Sequence, residues 1–139
     1  MTVVIDSNVV VAMVTKDARA ATVGSTVRAL AEGGEELHAP SLLRYEVANA
    51  LTRKIVAGEL DTSDAEVAWN QIAGMPITLH DLDDGPGAIG IALGLGRESA
   101  YDASYIALAQ ELGGELVTLD GPLARNAAGA DLPVRLIDA

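Results

Sequence analysis

At 139 residues, with no cysteine, the chain is long enough for one self-sufficient core, and disulfide frameworks, thiolate metal sites and thiol redox chemistry are excluded. A formal charge of −11 argues against a plain electrostatic nucleic-acid binder, which carries a basic patch, unless some of the acids hold cations. The apolar run over residues 9–14 is far too short to span a bilayer and the first eight residues hold no basic cluster, so a cytoplasmic protein with no membrane association is expected.

Residues 3–6 read as a short β-branched strand, followed by a helix from about residue 9 and a second over residues 18–32, closed by Gly33 and Gly34. Residues 36–39 suit a second strand. Pro40 suits the first turn of a long helix running to about residue 57, with Gly58 beyond its end. Thr62 or Ser63 can cap the next helix, in which Val67, Trp69, Ile72 and Ala73 gather into an apolar stripe ended by Gly74. Residues 77–79 are the third strand. After the polar segment HDLDDGPG comes a Gly- and Ala-rich helix to about residue 95, then a helix over residues 101–112 closed by Gly113 and Gly114. Residues 115–119 form a fourth strand, 122–127 a short helix and 134–137 a fifth strand. Strands alternating with helices predict a single α/β domain over residues 1–139, with a parallel sheet between helices and right-handed crossovers.

In such sheets functional residues collect outside the carboxyl ends of the strands. Asp6 ends the first strand and Asp120 the fourth, while Glu46 lies in the early turns of the helix after Pro40 and Asp102 in the first turn of the 101–112 helix. At about 100° per residue, Glu46 falls roughly 40° from Leu42, within an apolar arc that includes Leu43, Val47, Ala50 and Leu51. It therefore faces inward. Asp102 has Ile106 and Ala109 above it at i+4 and i+7. Thr118 lies two residues before Asp120 and shares its face if the strand persists; Asn8 can add an amide oxygen. Four converging carboxylates repel one another and raise their pKa values unless a positive charge sits among them. Mg²⁺ or Mn²⁺ suits this all-oxygen donor set, and a zinc site is disfavoured with no cysteine and two scattered histidines. Such a metal generates hydroxide near neutral pH and stabilises charge on a phosphodiester, so phosphodiester hydrolysis is the predicted reaction class.

Each acid also has a plainer reading taken alone. Asp6 can cap the helix after it, Asp102 can serve the helix dipole, Asp120 can open a turn before Gly121 and Pro122, and Glu46 can pair with Arg53 or Lys54. Coincidence at all four positions is the weaker account. Counted from Asp81, the HDLDDGPG segment places Ala92 where an EF-hand needs a bidentate carboxylate, so it reads as a solvated loop. His38 and His80 read as surface or packing residues, and Trp69 as core or interface.

The segments around the four acids, VVIDSNVV, LLRYEVANAL, YDASYIALA and LVTLD, together resemble the PIN-domain ribonucleases, and among them the VapC-type toxins of bacterial toxin–antitoxin pairs. The likeness runs over essentially the whole chain. It implies a three-layer α/β/α sandwich with a central parallel sheet of about five strands. It further implies an Mg²⁺- or Mn²⁺-dependent site that cleaves RNA, neutralisation by a cognate antitoxin protein, and a homodimer or toxin–antitoxin hetero-oligomer. Carried over residue by residue, Asp6, Glu46, Asp102 and Asp120 match the family's acidic quartet, and Thr118 matches a supporting polar position. Asp6, Asp102 and Asp120 would then hold metal directly, and Glu46 would bind it through water or orient the attacking water. Arg19, Arg44, Arg53, Lys54 and Arg97 are expected to include the residues that meet RNA phosphates or antitoxin carboxylates. Two other classes stay open beside this one. A phosphoryl-transfer protein with Asp6 as nucleophile is disfavoured by Asn8, where a second aspartate belongs, and by the lack of a lysine near the last strand. A non-catalytic interaction module would instead use Trp69 and the apolar faces of the early helices.

Overall fold

The structure, a computed structural model, describes residues 2–139. Five strands, β1 (Thr2–Ile5), β2 (Glu36–Pro40), β3 (Ile77–His80), β4 (Glu115–Thr118) and β5 (Val134–Leu136), form one sheet in the order β3-β2-β1-β4-β5, with every neighbouring pair parallel. Seven helices join them: α1 (Ser7–Val14), α2 (Ala20–Glu32), α3 (Leu42–Val56), α4 (Thr62–Ala73), α5 (Gly85–Gly94), α6 (Tyr101–Glu111) and α7 (Gly121–Gly129). The α/β architecture with a five-stranded parallel sheet is thus the one expected.

The middle of the sheet explains the layering. Val3, Val4 and Ile5 of β1 and Leu116, Val117 and Thr118 of β4 are buried at successive positions. Because successive side chains point to opposite faces, both faces must be covered. Helices α1, α3 and α4 pack on one another with α2 beside α1, while α6 lies across β1, β2 and β4 and carries α5. The core is almost entirely Val, Leu, Ile and Ala, and its largest fully buried side chain is Tyr105. Among the described residues no helix is long and apolar enough to cross a membrane.

Pro40 departs from expectation: it is the last residue of β2, and α3 begins two residues later. The Ser41 amide donates to the His80 carbonyl at 2.7 Å, so by alternation the Pro40 nitrogen turns towards β1. Pairing of β1 with β2 has already ended at His38, and the N–H that proline lacks is not needed there. The first two helices also shift. Asp6 caps α1 so that it starts at Ser7 rather than Val9, and Asp17 takes up the backbone N–H and guanidinium of Arg19 before α2 opens at Ala20.

The turn from α6 into β4 brings two backbones together. Gly113 closes the helix at φ +69°, in the left-handed region that favours glycine. At Gly114 an added Cβ would overlap the Thr2 carbonyl oxygen of β1. Gly114→Ala must push β4 off β1, and we expect a loss of ~2 kcal/mol in unfolding free energy, measured as a lower urea midpoint with an unchanged m-value.

Candidate active site

The chain runs from β1 outward through β2 to β3 and then crosses back to place β4 on the other side of β1. Strand order therefore reverses between β1 and β4, and the crevice beyond their carboxyl ends is where such sheets bind ligands. Asp6 immediately follows β1, Thr118 is the last residue of β4, and Asp120 lies two residues beyond it as the cap of α7.

One hydroxyl joins these two strand ends. Thr118, with no exposed surface, donates to Asp6 Oδ2 at 2.8 Å and accepts from the Asp120 amide at 3.0 Å and from Asn8 Nδ2 at 3.3 Å. One donor and two acceptor sites exhaust a threonine hydroxyl. Asn8 Oδ1 accepts the Leu119 amide at 3.1 Å, so its side chain ties α1 to the end of β4 at both ends of the amide. The cap readings of Asp6 and Asp120 are correct as local descriptions: Asp6 Oδ1 accepts the Ser7 amide at 2.8 Å, and Asp120 Oδ1 accepts the Leu123 amide at 3.0 Å. Capping aims each carboxylate into the crevice and does not compete with a role there.

Glu46 does not pair with Arg53 or Lys54. Its Oε1 accepts the Tyr105 hydroxyl at 2.6 Å, reaching from α3 to α6. Tyr105 is itself buried, and that burial, the hydrogen bond to Glu46 and the charges of Glu46 and Asp6 raise its pKa, so it remains a donor. Sequence reasoning missed this residue. The signal was a tyrosine among alanines on an apolar helix, since a buried phenol needs an acceptor. Asp102, in the first turn of α6, meets Arg97 at 3.4 Å.

The charges are coupled in a chain. Burial pushes Asp6 up to about 7, with the Thr118 and Ser7 hydrogen bonds pulling down and the charges of Glu46 and Asp102 pushing up. Asp102 is raised mainly by burial, with Arg97 lowering it and Asp120 raising it. Thus all four acids expected from the sequence act on one crevice, and Arg97 is the cation in contact with them among the described residues. The donor set is all hard oxygen, which suits Mg²⁺ or Mn²⁺. Among the described residues no three acidic or histidine side chains close on a single point. An ion that keeps several waters and takes only one or two carboxylates directly fits such an open arrangement.

Of the five basic residues singled out, Arg19, Arg53 and Lys54 line a groove with Ser7, Asn8 and Glu46. Arg19 is engaged by Asp17, whose carboxyl it helps hold down at about 2, and Lys54 meets Glu59 at 3.5 Å. Arg44 instead lines an apolar pocket with Leu43, Trp69 and Ile72, so Trp69 belongs to the packing beneath α4. His38 and His80 take each other as partners, Nδ1 to Nε2 at 2.7 Å, with Glu36 at 3.3 Å from the other nitrogen of His38.

Two predictions follow from the network and its charge. In EDTA, between about pH 4 and pH 7, the native state holds a proton on Asp6 that the unfolded chain, with an ordinary carboxyl near 3.8, has released. Stability from this group is fully present below about pH 4 and is lost as pH rises through 7, on the order of 4 kcal/mol. Asp6→Asn should flatten that slope between pH 5 and 8, and added Mg²⁺ should raise the wild-type melting temperature at pH 8 but not that of the variant. Thr118→Val keeps the volume but leaves Asp6, Asn8 and the Asp120 amide short of a partner, at a cost of ~2 kcal/mol in chemical unfolding.

The chain matches a family model described as "PIN domain" over residues 3–129. It is 33% identical over 132 residues to Ribonuclease VapC3 of Pyrobaculum aerophilum, covering 91% of this chain and 95% of that protein. Among solved structures, PAE2754 from Pyrobaculum aerophilum superposes with a TM-score of 0.69 at 21% identity, over 91% of this chain and 79% of the other. VapBC2 from Rickettsia felis, bound to a DNA fragment from its promoter, gives 0.70 at 14% identity, over 99% and 100%. FitAB bound to an IR36 DNA fragment gives 0.69 at 14%, over 96% and 94%. At those identities the solved structures speak for the fold, and the family model with the ribonuclease relative speaks for the kinship: this chain belongs to the PIN domain family.

Proposed function

We propose that this protein is an Mg²⁺- or Mn²⁺-dependent endoribonuclease, acting in the cytoplasm as the toxin of a toxin–antitoxin pair. The observation that carries the reading is the coupling of Asp6, Glu46, Asp102 and Asp120 in one crevice, in a chain that aligns along nearly its whole length with a protein named as a ribonuclease. The names VapBC2 and FitAB of the structural neighbours, each bound to DNA, are in keeping with an antitoxin partner.

In this reading Asp6, Asp102 and Asp120 would hold the metal, one or two of them directly and the remainder through its waters, and the metal would supply positive charge for the phosphodiester and lower the pKa of a water. Thr118 fixes the orientation of Asp6 through a hydrogen bond that is already made, so the carboxylate need not reorganise during the reaction. Glu46 keeps one oxygen on Tyr105 and uses the other to orient the attacking water and take its proton. Arg19, Arg53 and Lys54 follow the RNA backbone away from the acids, which reconciles a chain of net charge −11 with a polyanionic substrate. Ile89 and Leu93, one turn apart on α5 and both exposed, suit association with a second copy or with the antitoxin.

The test is to incubate the purified, antitoxin-free protein with a mixture of structured RNAs in Mg²⁺, Mn²⁺ or EDTA, beside Asp6→Asn and Asp102→Asn. Discrete cleavage that needs metal and falls to background in both variants, which remain folded by circular dichroism, is the expected result. Full cleavage by a folded Asp6→Asn protein would sink the assignment.

A further inference from the structure

Strand β3 is one edge of the sheet, and an edge strand presents backbone N–H and C=O groups that no neighbour takes up. The Ser41 amide donates to the His80 carbonyl, so His80 and, by alternation, Thr78 turn their backbone groups towards β2. Ile77 and Leu79 therefore turn theirs outward. The Ile77 amide donates to the Met75 carbonyl at 2.8 Å, which leaves the Ile77 carbonyl and both groups of Leu79 on the open rim. Native edges are often guarded by lysine or proline, and the strand ITLH carries neither.

The same two residues line an apolar pocket between α3, α4 and β3, together with Leu43, Val47, Trp69 and Ile72. Its free volume is about 50 Å³, room for the end of one aliphatic side chain and far below the roughly 300 Å³ of a small-molecule site. Arg44 lines this pocket too and is exposed. Among the described residues no carboxylate pairs with it, although Arg19, Lys54, Arg97 and Arg135 each have one. An unpaired guanidinium beside an apolar pocket is complementary to an acid brought from outside.

We propose that the β3 edge and this pocket form a docking site for an extended segment of another protein. The segment adds a strand beyond β3, sets one aliphatic side chain into the pocket, and lays a carboxylate two residues away, on the same face of the strand, against Arg44. In this mode of recognition main-chain hydrogen bonds supply affinity and a pocket for alternate side chains supplies selectivity. A helix seated here would leave the outward groups of Leu79 unpaired. A second copy pairing β3 with β3 about a twofold axis brings no acid to Arg44, because ITLH holds none, and two chains of net charge −11 repel one another. The pocket shares no residue with the acidic crevice, so the inference stands apart from the nuclease reading.

The probes are two end-capped, fluorescein-labelled peptides, TVTLTDT and TDTLTVT, which carry leucine and aspartate two residues apart in the two directions. Binding to the intact protein is followed by anisotropy. One of them should bind, slow hydrogen exchange at the Leu79 amide by NMR, and lose affinity on the order of tenfold with Arg44→Glu. Ala73→Phe, which fills the mouth of the pocket, should weaken it as much. Lysine in place of the peptide aspartate should restore binding to Arg44→Glu. N-methylation of alternate peptide amides should abolish binding in one set and spare the other, since only every second N–H of an added strand faces β3. Arg44 and Ala73 are exposed, so melting temperatures should hold and weakened binding reports the site. The inference is overturned if neither peptide binds at millimolar concentration, if binding ignores both substitutions, or if every amide tolerates methylation. Self-association of wild type in sedimentation that is lost in Ala73→Phe assigns the edge to a second copy and overturns it equally.

Discussion

The hydrogen bond from Thr118 to Asp6 is the contact on which the rest of the site depends. It crosses the boundary between β1 and β4, where the strand order reverses, and it fixes a carboxylate that burial would otherwise drive to its neutral form. A carboxyl poised near neutrality, with Glu46 and Asp102 acting on it from either side, is unfavourable for the fold and favourable for a cation. Under the proposed function, stability and activity pull apart here, and the tension is concentrated on one residue.

The fold limits that cost through helix termini. Asp6 and Asp120 cap α1 and α7, and Asp102 lies in the first turn of α6, so three of the four acids stand at the positive ends of helices, where backbone N–H groups and the dipole favour negative charge. Glu46, from the middle of a helix turn, has no such support and takes the Tyr105 hydroxyl instead. The sheet supplies the crevice and the helices supply the field that lets acids gather in it.

Much of this was legible in the chain. All five strands and the helices between them follow from β-branched runs, glycine stops and apolar periodicity, because each of these is a local property. Both Asp6 and Asp120 could be placed at strand ends, and the inward phase of Glu46 follows from helix geometry alone. Pro40 was assigned to the wrong element, since its fit at the end of β2 depends on where the pairing of β1 stops, a fact about a neighbouring strand. Tyr105 went unnoticed because its acceptor lies 59 residues away in sequence, and the apolar pocket that Arg44 lines beside Trp69 likewise joins elements that only the fold brings together.

The sequence by itself determined the class of sheet and marked out the four acids and the hard-oxygen character of the candidate site, since residue type and period are written locally. The strand order β3-β2-β1-β4-β5, the Thr118 hydroxyl shared among Asp6, Asn8 and Asp120 and the Tyr105 partner of Glu46 were decided only by the tertiary structure. Each is a meeting of segments far apart along the chain, and burial and hydrogen bonding set their proximity only when the sheet has closed around them.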